Sequence, residues 1–250
     1  VRSSRSAVIL TSLVAIAAVL AGCATPASPS GTGPNETAAP IVAEPDVVSG
    51  EGSTGFPGIA FPIPEDAKSV VITFECDGSD GFSVELGDSM ALRQSPLGGT
   101  CGEPTDLAWP ILPATGETLS VMVTGEAAWS ATPTFSTEEF AYDRELEADC
   151  TAFAAVYSAL TNADSGFGHY GAFDETEWRA RVDAATQDLA ALAAASHSGI
   201  RSELESMSAT LASDRVAGQS MAGVDDALGR VTAACNANQT PLVISAEFGG

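Results

Sequence analysis

Ala128-Trp-Ser-Ala-Thr-Pro-Thr-Phe-Ser136 alternates apolar and polar side chains, whereas Leu146, Cys150, Phe153, Tyr157 and Leu160 then recur at steps of four, three, four and three. Period two puts alternate side chains on one face of a strand, and the second spacing puts them on one stripe of a helix. The chain therefore changes from β to α near Ser136. Ser136 with Glu139 three residues later fits a capping box and predicts that the first helix begins there. Pro133 has no N–H for a ladder, which predicts an edge position for its strand.

Upstream, Ser69-Val-Val-Ile-Thr-Phe-Glu-Cys76, Phe82-Ser-Val-Glu-Leu86 and Leu119-Ser-Val-Met-Val123 alternate in the same way, separated by turn clusters at Asp77–Gly81, Pro96–Gly99 and Ala114–Glu117. Short strands at this spacing predict a small antiparallel β-sandwich over residues 56–136. Asp77-Gly-Ser-Asp-Gly81 alternates oxygen donors with glycine, yet it lacks the third acidic position and the closing glutamate of an EF-hand, so it reads as a tight hairpin turn.

Downstream, Asp174 and Glu177 form a second capping signal, with Phe173 placed to staple onto Trp178. That helix would bury Trp178, Val182, Ala185, Leu189 and Leu192. A third, near Ile200 to Val216, would bury Ile200, Leu204, Met207 and Leu211; a fourth, near Met221 to Cys235, Val224, Leu228, Val231 and Cys235. Four amphipathic helices with mostly short connections predict an antiparallel four-helix bundle over 137–250, hence an α+β, multidomain chain. Cys150 lies fourteen residues beyond Ser136, about 20 Å along a helix. If Cys235 meets it, the first helix should overhang the bundle and pack on the β-domain or receive the tail Leu242-Val-Ile-Ser245.

The first 22 residues differ in kind. Arg2 and Arg5 precede an uncharged apolar run, Ala7–Ala21, too short to span a bilayer and laid out as an export signal. Leu20-Ala21-Gly22-Cys23 follows. This motif resembles the lipobox of bacterial lipoproteins, which implies diacylation of the Cys23 thiol and cleavage before it. Two acyl chains suffice for stable anchoring. Val1 reads as a GTG start, and the whole layout resembles uncharacterised surface lipoproteins of high-GC Gram-positive bacteria. Residues 24–55 hold 18 Pro, Gly, Ser or Thr among 32 and no basic residue, so 23–55 is expected to be the lipidated cysteine with a disordered linker.

The chain carries 33 acidic and 10 basic side chains, a formal charge of −23. Losing Arg2 and Arg5 with the signal leaves −25 on 228 residues. Phosphate backbones and anionic headgroups would repel such a surface, which excludes nucleic acid as a partner and leaves membrane attachment to the lipid. Four cysteines remain after the anchor. An exported chain with an even set is expected to be disulfide-bonded, and grouping along the sequence favours Cys76 with Cys101 and Cys150 with Cys235.

Catalytic signals are scarce. The chain has two histidines, His169 and His197, and one lysine, Lys68, with no GxSxG, SxxK, HExxH or phosphate-binding GK motif. His197 falls in a short interhelical turn and reads as solvated; Trp109 and Trp129 read as β-core. Glu139, Asp143 and Glu147 repeat at four and would form a repulsive stripe on the first helix, a solvated face or a weak divalent-cation site. The Thr161–Phe173 connection exceeds the usual two to eight residues between bundle helices, and its Phe167, His169 and Tyr170 are the candidate binding residues. The expectation is an extracytoplasmic, lipid-anchored, non-enzymatic binding module without metal or cofactor, whose partner is an envelope protein or a small ligand. The alternative is a small-molecule or divalent-cation-binding accessory lipoprotein.

Overall fold

The alternating segments fold into two antiparallel four-stranded sheets. In one the order is β1 (Val48–Glu51), β8 (Ala128–Ser136), β3 (Ser69–Cys76), β6 (Thr105–Pro110); in the other it is β2 (Ile59–Ala60), β7 (Thr118–Val123), β4 (Gly81–Leu86), β5 (Leu97–Thr100). The computed structural model describes residues 46–213 and 215–248, all within one compact unit. The signal segment, Cys23 and the linker up to residue 45 lie outside the described residues. Side chains from both sheets, among them Ile72, Phe74, Val84, Leu86, Leu119, Val121 and Phe135, form one apolar core. Trp109 and Trp129 belong to it, and their indole N–H groups donate to Ser95 O and Gly52 O.

Four β expectations are corrected. Pro96–Gly99 reads as a turn, but Leu97–Thr100 is the edge strand β5, paired along β4. The linker was read through residue 55, but Val48–Glu51 pairs with Ala128–Ala131, and the Gly50 backbone passes so close under the Trp129 ring that a Cβ there would meet it at 2.7 Å. The β8 strand is internal rather than at an edge. Ladder alternation turns the Pro133 nitrogen to the β1 side, two residues beyond Ala131 where β1 stops pairing, so no donor is missed. Asp77–Gly81 is not a hairpin, because β3 and β4 belong to different sheets and the segment crosses between them; Gly78 turns it at φ 104°.

The helices are α1 (Ser89–Leu92), α2 (Arg144–Asp164), α3 (Glu175–Ala195), α4 (Arg201–Leu211) and α5 (Asp225–Ala237). The inner stripes read from the sequence are buried or half-buried in a second core that holds Cys150, Phe153, Leu160, Trp178, Leu189, Leu204, Met207, Val231 and Cys235. α4 ends at Leu211, short of Val216, which is exposed.

The start of α2 is also corrected. Ser136 ends β8, and its hydroxyl accepts from Glu138 N in a local turn. The cap is Asp143, whose carboxylate accepts from Leu146 N at 3.0 Å. Cys150 thus sits in the second turn of α2 and no overhang exists. The acidic stripe disappears for the same reason. Glu139 precedes the helix and pairs with Lys68 at 2.9 Å, Asp143 caps, and Glu147 pairs with Arg144 at 2.6 Å.

Disulfides join Cys76 to Cys101 and Cys150 to Cys235. Between the two cores runs a polar seam. Gln239 Oε1 accepts from the buried Ser95 N at 2.8 Å, its amide donates to Ala108 O, and Ser95 Oγ bonds Asn236 Oδ1 at 3.0 Å.

Candidate functional site

Where α2 faces α3 the side chains are small: Ala154, Ala155 and Ala159 oppose Ala184 and Ala185, leaving a hollow of about 750 Å³ whose third wall is the chain's own C-terminal tail. The tail leaves α5 through Gln239 at φ 54° and runs as extended chain along α2 in the direction of that helix. Thr151 and Asn162 of α2 and Pro241 and Glu247 of the tail bound the same hollow.

Two α2 side chains one turn apart hold this strap by its main chain. Ser158 Oγ accepts from Ser245 N at 3.0 Å; Asn162 donates its amide to Ser245 O at 2.8 Å and accepts from Glu247 N at 2.8 Å. Residues 245 and 247 thereby present one edge to α2, as alternate residues of an extended strand do. Glu247 pairs with Arg181 at 2.8 Å. Hydrogen bonds from Arg181 to Glu177 and then to Glu247 raise the guanidinium pKa above its already high value, and the guanidinium lies 4.4 Å over the Phe173 ring. Phe248 closes the strap, stacked on Tyr170 at 5.7 Å and edge-on to Phe173 at 6.0 Å. Gly166 lies beneath, and a methyl group there would overlap both the Phe173 and Phe248 rings.

Of the three binding residues expected from the sequence, only Tyr170 touches the strap. His169 is exposed and meets Tyr170 edge-on at 4.8 Å. Phe167 is half-buried against Trp178 at 6.0 Å and serves the helical core. The expected Thr161–Phe173 loop is mostly helical: α2 continues to Asp164, and Ser165–His169 form a π turn closed by Tyr170 N to Ser165 O at 3.0 Å. Asp174 caps α3 as expected, accepting from Glu177 N at 3.0 Å.

Sequence reasoning missed Ser158, Asn162, Arg181 and Asp164. The spacing of Ser158 and Asn162, one turn apart on a helix otherwise lined with alanine, was a signal that could have found the first two. Asp164 joins three segments, accepting from Trp178 Nε1 at 2.8 Å and from Ser220 N and Oγ at 2.8 and 2.9 Å.

A second hollow, of about 650 Å³, lies between the β5–β6 corner and α5, with Asp106, Thr232 and Asn236 among apolar and small neighbours. Among the described residues no group of three or more His, Cys, Asp or Glu side chains is placed to hold a metal ion, and no helix is long and apolar enough to cross a membrane. His197 stands exposed in the α3–α4 turn. Comparison of the chain with protein-family models, curated proteins and solved structures found no match to any of them.

Proposed function

We propose that the chain is a lipid-anchored, extracytoplasmic, non-enzymatic binding module. The Cys23 lipid would hold it to the membrane, the linker would give reach, and the folded body would be displayed for an envelope partner. We read that body as a small antiparallel β-sandwich followed by an antiparallel four-helix bundle. The layered reading is supported by the single core filled from both sheets. The bundle reading is supported by the ring of neighbours in which α2 meets α3, α3 meets α4, α4 meets α5 and α5 returns to α2. Two disulfides accord with an oxidising compartment.

The observation that carries the binding reading is the strap-walled groove, in which Ser158 and Asn162 bond the main chain of another segment. The small-ligand alternative draws on the hollow beside α5, which Asp106, Thr232 and Asn236 line among apolar neighbours.

Fractionation of cells making the full chain and its Cys23→Ala variant tests the anchor. The unaltered chain is expected in the detergent phase and on the outside of intact cells, reachable by added protease, and the variant in the medium. Equal partition of the two would remove the lipid from the account.

A further inference from the structure

We infer that the α2–α3 groove is a docking site for an extended peptide segment in which an acidic residue is followed directly by an aromatic one, and that residues 243–248 hold it in cis as a displaceable competitor. This rests on the binding-module reading but not on the anchor. Ser158, whose hydroxyl also donates to Ala154 O of its own helix, and Asn162 touch the strap only through main-chain atoms of residues 245 and 247, so any extended segment can make the same three hydrogen bonds. Selectivity comes from the far end. Arg181 selects a carboxylate at the position of Glu247, and the Tyr170–Phe173 pair selects a ring at the position of Phe248.

The resident strap fits poorly between its two ends. Leu242 reaches the helical core, but Val243 is 68% and Ile244 44% exposed, while Val243 borders about 750 Å³ of unfilled groove. A segment with bulkier side chains there would bury apolar surface that the strap leaves in water. The same comparison favours a foreign segment over the tail of a second copy. An exchanged tail would make identical contacts and forgo the tether, which supplies an effective concentration of about millimolar. Only a different segment can outbid that advantage.

The test uses a fluorescent peptide of the sequence of residues 241–250, titrated into the Cys23→Ala chain with and without those ten residues. The shortened chain is expected to bind it with a Kd of about micromolar order, and the strap-bearing chain at least about tenfold more weakly. A Val243→Phe peptide should bind several-fold more tightly. Glu247→Lys or Phe248→Ala in the peptide, and Asn162→Ala in the shortened chain, should each weaken binding about tenfold or more. If shortening prevents folding, as thermal melting would show, the full chain carrying Glu247→Lys and Phe248→Ala takes its place and should bind the unaltered peptide more tightly than its parent. A folded, unstrapped chain that binds no peptide, equal affinity with and without the strap, or indifference to Glu247 and Phe248 overturns the proposal. So does a concentration-dependent dimer of the full chain that vanishes on shortening, which would assign the groove to a second copy. None of these outcomes depends on lipidation, so the anchor and the groove fail separately.

Discussion

The two halves of the molecule fasten their connecting segments with polar side chains in different ways. In the β half they complete its own ladders: Ser53 and Thr54 each exchange hydrogen bonds with one residue of β7, and Trp129 holds Gly52, so the entering segment is fastened to the sheets. In the helical half they reach other segments: Asp164 holds Ser220, Asn238 brackets Asp143 through its N–H and carbonyl, and Ser158 with Asn162 holds the strap. The difference follows from the backbone. A strand depends on neighbours for its main-chain bonds, whereas a helix closes its own, so side chains such as Asn162 and Asn238 can receive another chain even where hydroxyls such as Ser158 also bond back to their own helix. The proposed binding face accordingly belongs to the helices.

Removing each disulfide probes the halves most strongly. The β bridge closes 25 residues and the helical bridge 85, so chain entropy assigns about 3.5 and about 4.5 kcal/mol respectively. Cys150→Ala with Cys235→Ala should lower the melting temperature more than Cys76→Ala with Cys101→Ala. A larger loss from the β pair would show that the helical core is the more self-sufficient of the two.

Asp164→Ala comes next. It strands the N–H of the fully buried Trp178 ring and the buried Ser220, a loss of about 2–3 kcal/mol at the usual cost of unsatisfied buried donors. Urea unfolding followed by tryptophan fluorescence measures it. A loss within about 0.5 kcal/mol would mean that water replaces the carboxylate, and that this end of the helical half is more open than its hydrogen bonds imply.

Gln239→Ala cuts the seam and asks whether the halves are coupled. Ser95 N is left buried without its acceptor, which costs about 1–2 kcal/mol. Calorimetry should show the single transition of the parent broaden or split as the two cores unfold separately. An unchanged single transition would place the coupling elsewhere than in this seam.

The contrast between the halves also explains what the sequence could tell. Strands that alternate over five or more residues were legible: β3 and β4 were placed within a residue of their ends, because the pattern that makes them strands is internal to them. β1 and β5 were not. Val-Ser-Gly-Glu and Leu-Gly-Gly-Thr become strands only by pairing with β8 and β4, a fact of tertiary structure that four residues cannot encode. The helix stripes were read correctly where 3.6-residue spacing governs. The start of α2 was not, since Ser136 with Glu139 and Asp143 with Leu146 offer competing caps, and β8 claims Ser136 for its ladder with Ser69. The aromatic end of the candidate site was visible as Tyr170 among glycines. The strap was noticed as β-like residues, but its partners Ser158 and Asn162 sit some 85 positions away, beyond the reach of any local pattern.

The smallest expected effect concerns acid. Glu203, in the first turn of α4, accepts from the Ser202 hydroxyl at 2.7 Å and from Arg230 of α5 at 3.3 Å. The Ser202 hydroxyl first, then its own backbone N–H and Arg230, hold its pKa below the ordinary 4.5. A carboxylate with a depressed folded pKa adds stability that is complete above its unfolded value and lost as pH falls through the folded one. The contribution should therefore be present at neutral pH and fade below about pH 4.5. Because a largely surface pair is worth about 0–1 kcal/mol, Glu203→Gln should cost only a few tenths at pH 7. It should nonetheless flatten the acid side of the stability curve, read as the urea midpoint from pH 7 to pH 3. Arg230→Gln should reproduce part of that change and Ser202→Ala a larger part, following the order of the hydrogen bonds. If neither alters the acid limb, α4 and α5 are held by Leu204, Met207 and Val231 alone, and the ion pair between them is decoration on an apolar contact.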